Sequence, residues 1–362
     1  SIFETAIKWL YTFNINIMKK VFFIIVLSLG MAPWSYSQDC IAAARAKGLW
    51  GYIKQTGEWQ IAPRFKAVQD FSEGMAAARL SETWGYIDLS GGYVIQADFQ
   101  RAEEFSEGLA QAISVSNAKA GWGYIDRTGK WIIAQQFAGC QPFSEGLAAA
   151  RTGKLFGYIN PAGAWVIAEQ YEHAERFSEG LAKVKKNGKT GFIDKTGKEI
   201  IPCIYDGAKD FSEGLARVKK GSMWGFIDKT GAVIIPIIYD NAGAFSEGMA
   251  SLNKGDLWGY MDRTGKWVIP LSIPTLGLIT ELSNDRYISE GMVAMNNKDK
   301  QWGFADATGK IIIPYKFINI EPFSCGLAAA KSGDSWGFIN KTGEWAVTPQ
   351  FENIRKFCPT GK

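Results

Sequence analysis

The sequence has very few residues of the types that hold metals. Among its 362 residues there is one histidine, and none of its five cysteines forms a Cys-x-x-Cys pair. A zinc site needs about four nitrogen or sulfur ligands, or three and a water. No metal site and no cofactor site is therefore expected. His173 stands between Glu172 and Ala174 and is expected to be a surface loop residue.

Strong charge of one sign is also lacking. The 40 Lys and Arg residues nearly balance the 36 Asp and Glu residues, which leaves a formal net charge of +4. A nucleic-acid-binding protein would carry a clustered basic stripe. We therefore expect no nucleic-acid partner.

Long apolar runs are missing except near the amino terminus, where 21–31 is apolar and follows two lysines and the first methionine, Met18. Small serines near the end of this stretch fit a cleavage site. We interpret 18–37 as an export signal and 1–17 as upstream sequence that is not native. The run is too short for a bilayer span of about 20 residues. The mature chain, 38–362, is expected to reach the periplasm or cell surface with no stable membrane span; an uncleaved anchor is the alternative.

Glycine and aromatic residues are abundant, and they recur in a fixed phrase. Residues 122–148 contain Trp-Gly-Tyr-Ile-Asp, then Arg-Thr-Gly, then Phe-Ser-Glu-Gly-Leu-Ala, and the phrase occurs nine times. Successive Trp-Gly glycines are 34 residues apart, except for one interval of 38 and one of 44. Such a period is the signature of a solenoid, propeller or related array. These glycines are Gly51, Gly85, Gly123, Gly157, Gly191, Gly225, Gly259, Gly303 and Gly337.

One unit is predicted to contain three strands, as in 215–219, 224–228 and 233–236. Asp-x-Thr-Gly joins the last two, because Asp accepts backbone N–H bonds at a turn and Gly supplies a positive φ. We therefore predict an all-β fold, a tandem array of about nine 34-residue three-stranded antiparallel units. The segment 41–45 and the final residues could complete one unit between them, as in a closed propeller-like ring. Because propellers typically have about four to eight blades, an open, curved, solenoid-like array is the favoured form.

The three phrases, recurring in this order, resemble the WG-containing repeat family across residues 41 to about 357. Two units depart from the pattern, with Phe156 and Thr190 in place of the tryptophan. The resemblance implies a bacterial β-repeat protein, often exported, of mostly undefined function. It implies no catalytic residues.

Recurring carboxylates are the residues most open to a catalytic interpretation, because a glycoside hydrolase uses two of them. Here they stand at the same place in nearly every unit, as Glu145 and Asp126 illustrate. A catalytic pair should be singular, so we interpret these residues as turn formers and expect the protein not to be an enzyme.

Candidate binding residues lie where the phrase varies. A second tryptophan set appears in only five units, and in the other units the same position holds residues such as Glu or Val. A position with this tolerance is expected to be exposed, and exposed rings of this kind can bind sugars, cations or protein. The alternative is packing against the next unit. The set is Trp59, Trp131, Trp165, Trp267 and Trp345.

The longer of two insertions, within 271–287, is apolar, and insertions in repeat proteins often fall on the binding face. Its candidate contact residues are Leu271, Ile273, Leu276 and Leu278. An extra strand or helix that plugs the array is the alternative.

Two cysteines replace recurring residues of the Phe-Ser-Glu-Gly phrase, Cys325 the glutamate and Cys358 the serine one unit later. Stacked units would bring these loops within reach of each other, so a Cys325–Cys358 disulfide is predicted.

The sequence as a whole predicts an exported, non-catalytic scaffold for a protein or envelope-glycan partner. The competing hypotheses are a glycan-active enzyme and an aromatic-cage module that binds the cell wall.

Overall fold

A computed structural model describes residues 40–274, 288–297 and 299–360. Within these ranges the chain forms 36 strands and one short 3-10 helix, Ala118–Ala120. The strands make nine antiparallel blades, two of which are continuous through Tyr93–Ala102. Each blade has four strands, and the first has Cys358–Pro359 as a fifth. The prediction of an all-β tandem array of nine units is confirmed.

Each blade has a short first strand, a second strand from the Leu-Ala segment, a third with the Trp-Gly pair and a fourth after the hairpin. We call the fourth strand the edge strand. In this order the first three blades contain Asn353–Ile354, Cys40–Ala46, Leu49–Lys54 and Trp59–Phe65; Ala67–Val68, Ala76–Arg79, Trp84–Ile87 and Tyr93–Ala102; and the end of Tyr93–Ala102 with Leu109–Ser114, Trp122–Asp126 and Trp131–Phe137. The next three contain Gly139–Cys140, Ala148–Arg151, Phe156–Ile159 and Trp165–Tyr171; His173–Ser178, Leu181–Lys186, Lys189–Ile193 and Glu199–Tyr205; and Gly207–Ala208, Leu215–Lys220, Met223–Asp228 and Val233–Tyr239. The last three contain Asn241–Ala242, Met249–Lys254, Leu257–Asp262 and Trp267–Pro274; Ile288–Ser289, Met292–Asn296, Trp302–Asp306 and Ile311–Phe317; and Asn319–Ile320, Ala328–Ser332, Ser335–Ile339 and Trp345–Phe351.

The blades have one strand more than the three predicted for each unit. The additional first strand is usually only two residues long, as in Gly139–Cys140, which pairs with Arg151 and Ala150. So short a strand leaves no alternating pattern in the sequence, and the sequence therefore predicts only three strands for each unit.

The two ends of the array build the first blade together. Cys40–Ala46 pairs with Asn353–Ile354 and with Cys358–Pro359. The backbone N–H of Arg355 donates to the carbonyl of Ala43 at 2.8 Å, as that of Gln141 does to Ala149 within the fourth blade. This pairing corresponds to the closed ring that the sequence left as the alternative, and not to the open array that it favoured.

Apolar side chains are buried between neighbouring blades. In one cluster, Tyr124 and Phe137 of the third blade pack with Phe143 and Ile159 of the fourth. Burial of each such side chain contributes about 1.5–3 kcal/mol. At the joint between the ends, Phe351 of the ninth blade lies in one cluster with residues of the first blade. Each blade thus depends on both neighbours, as in other repeat folds.

The glycine of the Trp-Gly pair is required by a close approach of two strands. The register between the third strand and the edge strand shifts at this point, as between Tyr124 and Trp122 in the third blade. A Cβ placed on Gly123 would lie 2.7 Å from the carbonyl oxygen of Ile133 and 2.8 Å from the nitrogen of Gln135. Both are backbone atoms of the edge strand, so only glycine fits without displacing it.

The Asp-x-Thr-Gly hairpins are held by the aspartate, as predicted. The carboxylate of Asp126 accepts hydrogen bonds from the backbone N–H groups of Thr128 (2.9 Å) and Lys130 (3.1 Å) and from the Thr128 hydroxyl (2.6 Å). The hydroxyl bond is the main cause that lowers the pKa of Asp126. Gly129 adopts φ +85° at the end of the turn.

These hairpins predict a loss of stability in acid. A carboxyl whose pKa is lowered by folding stabilises the protein above its unfolded pKa, and this stabilisation is lost as the pH falls through the folded value. We expect the urea concentration at the unfolding midpoint to decrease once the pH is lowered below about 4, the ordinary pKa of an Asp carboxyl. Asn160 and Asn340 make the same turn without a titrating group. Replacing the corresponding aspartates by Asn should therefore flatten the acid dependence, and an unchanged pH profile would refute the assignment. These aspartates are Asp88, Asp126, Asp194, Asp228, Asp262 and Asp306.

The Phe-Ser-Glu-Gly turns, here called return turns, bind each other in series. The Ser72 hydroxyl donates to the carbonyl of Phe105 in the next return turn at 2.7 Å. The Glu73 carboxylate accepts the backbone N–H of Gly108, one unit on, at 3.1 Å. The recurring glutamates therefore connect neighbouring blades, whereas the sequence predicted bonds within their own turn.

Candidate functional site

The second tryptophan set lies on the edge strands and packs against the preceding blade. Trp131 meets Phe99 edge-on with ring centroids 6.1 Å apart, and Trp165 meets Phe137 at the same distance. Trp59 of the first blade makes this contact with Phe351 of the ninth, at 5.6 Å. Trp267 and Trp345 contact Tyr239 and Phe317. All five rings therefore take part in packing between blades, and a role in partner binding stays a prediction.

Trp165 is the most accessible ring of this set, with 39% of its surface exposed. The other four are half-buried. The rings lie on separate blades, each against its own aromatic neighbour, so the set is distributed along the array rather than gathered at one place.

The residue that follows the second-tryptophan position, whether or not a tryptophan stands there, points to the opposite face of the edge strand and in six blades is an exposed aliphatic. Side chains alternate between the two faces of a strand, so Trp131 packs inward and Ile132 faces outward. These residues are not among the candidates predicted from the sequence, although the period of two between Trp131 and the buried Ile133 indicates that Ile132 lies on the outer face. The exposed members are Val94, Ile132, Val166, Ile234, Val268 and Ile312, with 37–48% of their surface accessible.

The apolar insertion is only partly within the described residues. Leu271 is half-buried in the edge strand Trp267–Pro274. Ile273 is buried against Trp258, its partner in the neighbouring strand. Ile273 is thus a packing residue. Leu276 and Leu278 lie outside the described residues.

The predicted Cys325–Cys358 disulfide is wrong, because Cys325 is bonded to Cys40, with 6.4 Å between the two Cα atoms. Cys358 is a free thiol, as are Cys140 and Cys203. The return turns explain the choice. The side chain at the glutamate position reaches the glycine position of the next turn, as Glu290 reaches the N–H of Gly326. In the ninth turn, Cys40 stands at that glycine position, because Ile41 pairs with Cys358 as Leu327 pairs with Ser324.

Residues of the types that ligate metals are not clustered in the described ranges. No group of three or more His, Cys, Asp or Glu side chains is arranged there to hold a metal ion. His173 lies in a strand, not in the loop expected for it, and its Nε2 is 2.8 Å from the Glu175 carboxylate at an exposed position. The recurring carboxylates are bound to backbone N–H groups, as described for Asp126 and Glu73.

A series of four-stranded blades whose two ends pair with each other is a propeller-like ring. Within the part of the chain that the structure describes, no helix is long and apolar enough to cross a membrane.

The chain belongs to the WG containing repeat family. The family model matches it nine times, at residues 50–83, 84–112, 122–155, 156–189, 191–224, 224–258, 258–272, 302–335 and 336–357. The resemblance seen in the sequence is therefore confirmed. No curated protein matches the chain significantly in sequence.

Solved structures are similar to this chain at low sequence identity. The crystal structure of a eukaryotic initiation factor is similar with a TM-score of 0.60 and 14% identity, over 88% of this chain and 98% of that one. The dihydro-heme d1 dehydrogenase NirN is similar with a TM-score of 0.47 and 12% identity, over 90% and 76%. PorZ, a surface component of the type-IX secretion system of Porphyromonas gingivalis, has a TM-score of 0.33 and 11% identity, over 84% and 50%. At such identity only the fold is shared, and only the first comparison is strong enough to support it.

Proposed function

We propose that this protein is an exported, non-catalytic binding module that presents its edge strands to a protein partner. The observation that carries the proposal is the recurring exposed aliphatic residue of these strands, from Val94 to Ile312. Isolated apolar residues on a surface are ordinary. The same position repeated on successive blades indicates a surface with a common purpose.

The edge strands favour a protein over a glycan. In the sixth blade, Ile234 and Ile238 lie on the same outward face with 37% and 45% of their surface exposed. The strand Val233–Tyr239 ends its sheet, so its outer backbone groups have no strand beside them within that sheet. An apolar strand face beside unpaired backbone groups is what an extended protein segment binds by adding a strand. Sugars instead stack on ring faces, and part of the surface of the tryptophans here is buried against neighbouring blades.

Two features support export. Residues 18–37 have the pattern of a secretory signal. The Cys40–Cys325 disulfide requires an oxidising compartment such as the periplasm or the cell exterior. We therefore place the mature chain, from residue 38, in the periplasm or at the cell surface.

We expect the double variant Ile234→Lys, Ile238→Lys to lose its partner. Charges on the outward face would have to be desolvated on docking, so affinity should fall by at least about tenfold, the equivalent of about 1.4 kcal/mol. A partner retained from envelope fractions would be purified and its affinity measured directly against both forms. Leu80→Lys is the matched control, because Leu80 is as exposed (47%) but lies outside the edge strands.

The proposal fails if the double variant and the wild type bind the purified partner equally. It also fails if only glycans are retained and Trp131→Ala alone abolishes their retention. The second result would favour the tryptophan set as a sugar-binding surface.

A further inference from the structure

A cavity of about 700 Å³ has none of the exposed aliphatic residues of the edge strands in its lining. It is lined by residues within or just after the first strands of five successive blades. Arg355 belongs to the first blade and Arg176 to the fifth, yet both face this space. Between them lie Gln69, Glu103 and Gln141 of the second, third and fourth blades. A cavity of this size is in the range of small-molecule sites.

One polar side chain in the wall is buried without a partner for its oxygen. Gln111, in the second strand of the third blade, has only 3% of its surface exposed, and its amide Oε1 accepts no hydrogen bond within the described residues. Gln69 adds a second acceptor, because its Nε2 donates to Glu103 at 3.2 Å while its Oε1 is buried and unbonded. A buried acceptor without a hydrogen bond is unfavourable, so a donor on a ligand would satisfy an unmet hydrogen bond at either oxygen.

Gln111 is also the residue by which this unit departs from its neighbours. Alanine occupies the same place in five other units, at Ala43, Ala77, Ala149, Ala294 and Ala329. Where Lys183 stands there, its ammonium pairs with Asp210 of the next blade at 3.6 Å. Gln111 has no such pairing for its oxygen, so packing alone does not account for a glutamine at this position.

The rest of the wall fits an uncharged ligand that both donates and accepts hydrogen bonds. The carboxylates of Glu103 and Glu104 stand in this wall with the guanidinium groups of Arg176 and Arg355, and Arg355 is already paired with Asp70 at 3.4 Å. These groups offer donors and acceptors together. Trp122, which is half-buried, adds an aromatic surface to the same wall.

We propose that this cavity binds a neutral sugar of monosaccharide or disaccharide size. The hydroxyl groups of a sugar donate to Gln69 and Gln111 and accept from Arg176. Its C–H face packs on Trp122. An anionic ligand would be repelled by the carboxylates of Glu103 and Glu104, which outnumber the one arginine left after Arg355 pairs with Asp70. This site is separate from the edge-strand surface of the proposed function, and it does not depend on it.

The test uses the full oxidised chain and isothermal titration calorimetry with glucose, galactose, mannose, N-acetylglucosamine, maltose and cellobiose. We expect at least one of them to bind. Gln111→Ala should weaken that binding by about tenfold, as expected for the loss of one buried hydrogen bond. Because alanine is native at this position in other units, the variant should keep its unfolding midpoint. Ser251→Ala changes the same strand position in the seventh blade, which does not line the cavity, and should bind like the wild type.

Tryptophan fluorescence supplies a second readout. The sugar should change the emission of the wild type, and Trp122→Phe should remove the change because it removes the ring that the sugar contacts. The variant should fold, since phenylalanine is native at this place in the next unit as Phe156. The proposal is overturned if none of the sugars binds at millimolar concentration, if Gln111→Ala binds as well as the wild type, or if a charged amino acid binds in preference to every sugar.

Discussion

Replacing Cys40 by serine is expected to cause the largest loss of stability of any cysteine substitution in this chain. The Cys40–Cys325 bond closes a loop between residues 285 positions apart. In the chain-entropy treatment a loop of this length stabilises the folded state by up to about 5 kcal/mol. The bond also links the strand Cys40–Ala46 of the first blade to the ninth blade, at the joint that closes the ring. Urea unfolding with and without a thiol reductant would measure the effect.

Matched cysteine variants separate the bond from the mere loss of a thiol. Cys140→Ser and Cys358→Ser remove free thiols and should retain the full response to the reductant. Cys325→Glu restores the carboxylate that occupies this position in seven other return turns, such as Glu290. It should be more stable than Cys325→Ala, because a carboxylate there can accept the backbone N–H of the ninth turn. Equal urea midpoints for reduced and oxidised wild type would contradict the role of the bond.

The local structure could be predicted from the sequence because each part of the phrase has its own physical reason. Asp126 and Gly129 define a hairpin by hydrogen bonding and a positive φ, and the spacing of 34 residues defines the unit. Closure of the ring has a different origin. It depends on the small rotation between successive blades, summed over nine of them, and no single unit records that sum.

The sequence contains part of the information needed to predict the Cys40–Cys325 disulfide. Residues 41–45 match residues 147–151 of the repeated phrase, so Cys40 is equivalent in position to Gly146. What was missing was the direction of the glutamate side chain, which leaves its own turn and reaches the next one. That direction follows from the left-handed backbone of the glutamate, as at Glu145 with φ +55°. A sequence pattern does not contain this angle, and for this reason the sequence predicts Cys358 instead of Cys40 as the partner of Cys325.

The candidate site was predicted less well, because the exposure of a residue depends on the neighbouring blade. The tolerance of Trp, Glu and Val at one position indicated an exposed ring, but Trp131 rests on Phe99 of another blade. The unusual Gln111 was missed because a single glutamine among alanines carries little signal in itself. It becomes a candidate only when the cavity beside it is seen.

Gly123→Ala is expected to destabilise the third blade severely. The new Cβ would lie 2.7–2.8 Å from the carbonyl oxygen of Ile133 and the nitrogen of Gln135. Neither backbone atom can move without breaking the pairing between the third strand and the edge strand. We expect a loss of about 3 kcal/mol or more, at the upper end of what overpacking costs. Urea unfolding and the soluble yield would measure it.

Gly153→Ala is the control, because a Cβ there meets no atom within 4 Å. It should change stability by no more than about 0.5 kcal/mol, as surface substitutions usually do. Because blades stabilise their neighbours, the damage from Gly123→Ala should appear in hydrogen exchange first in the second, third and fourth blades. If Gly123→Ala were as stable as Gly153→Ala, the Trp-Gly glycine would serve something other than the close approach of the two strands. The repeated phrase would then lack a structural reason for its most regular residue.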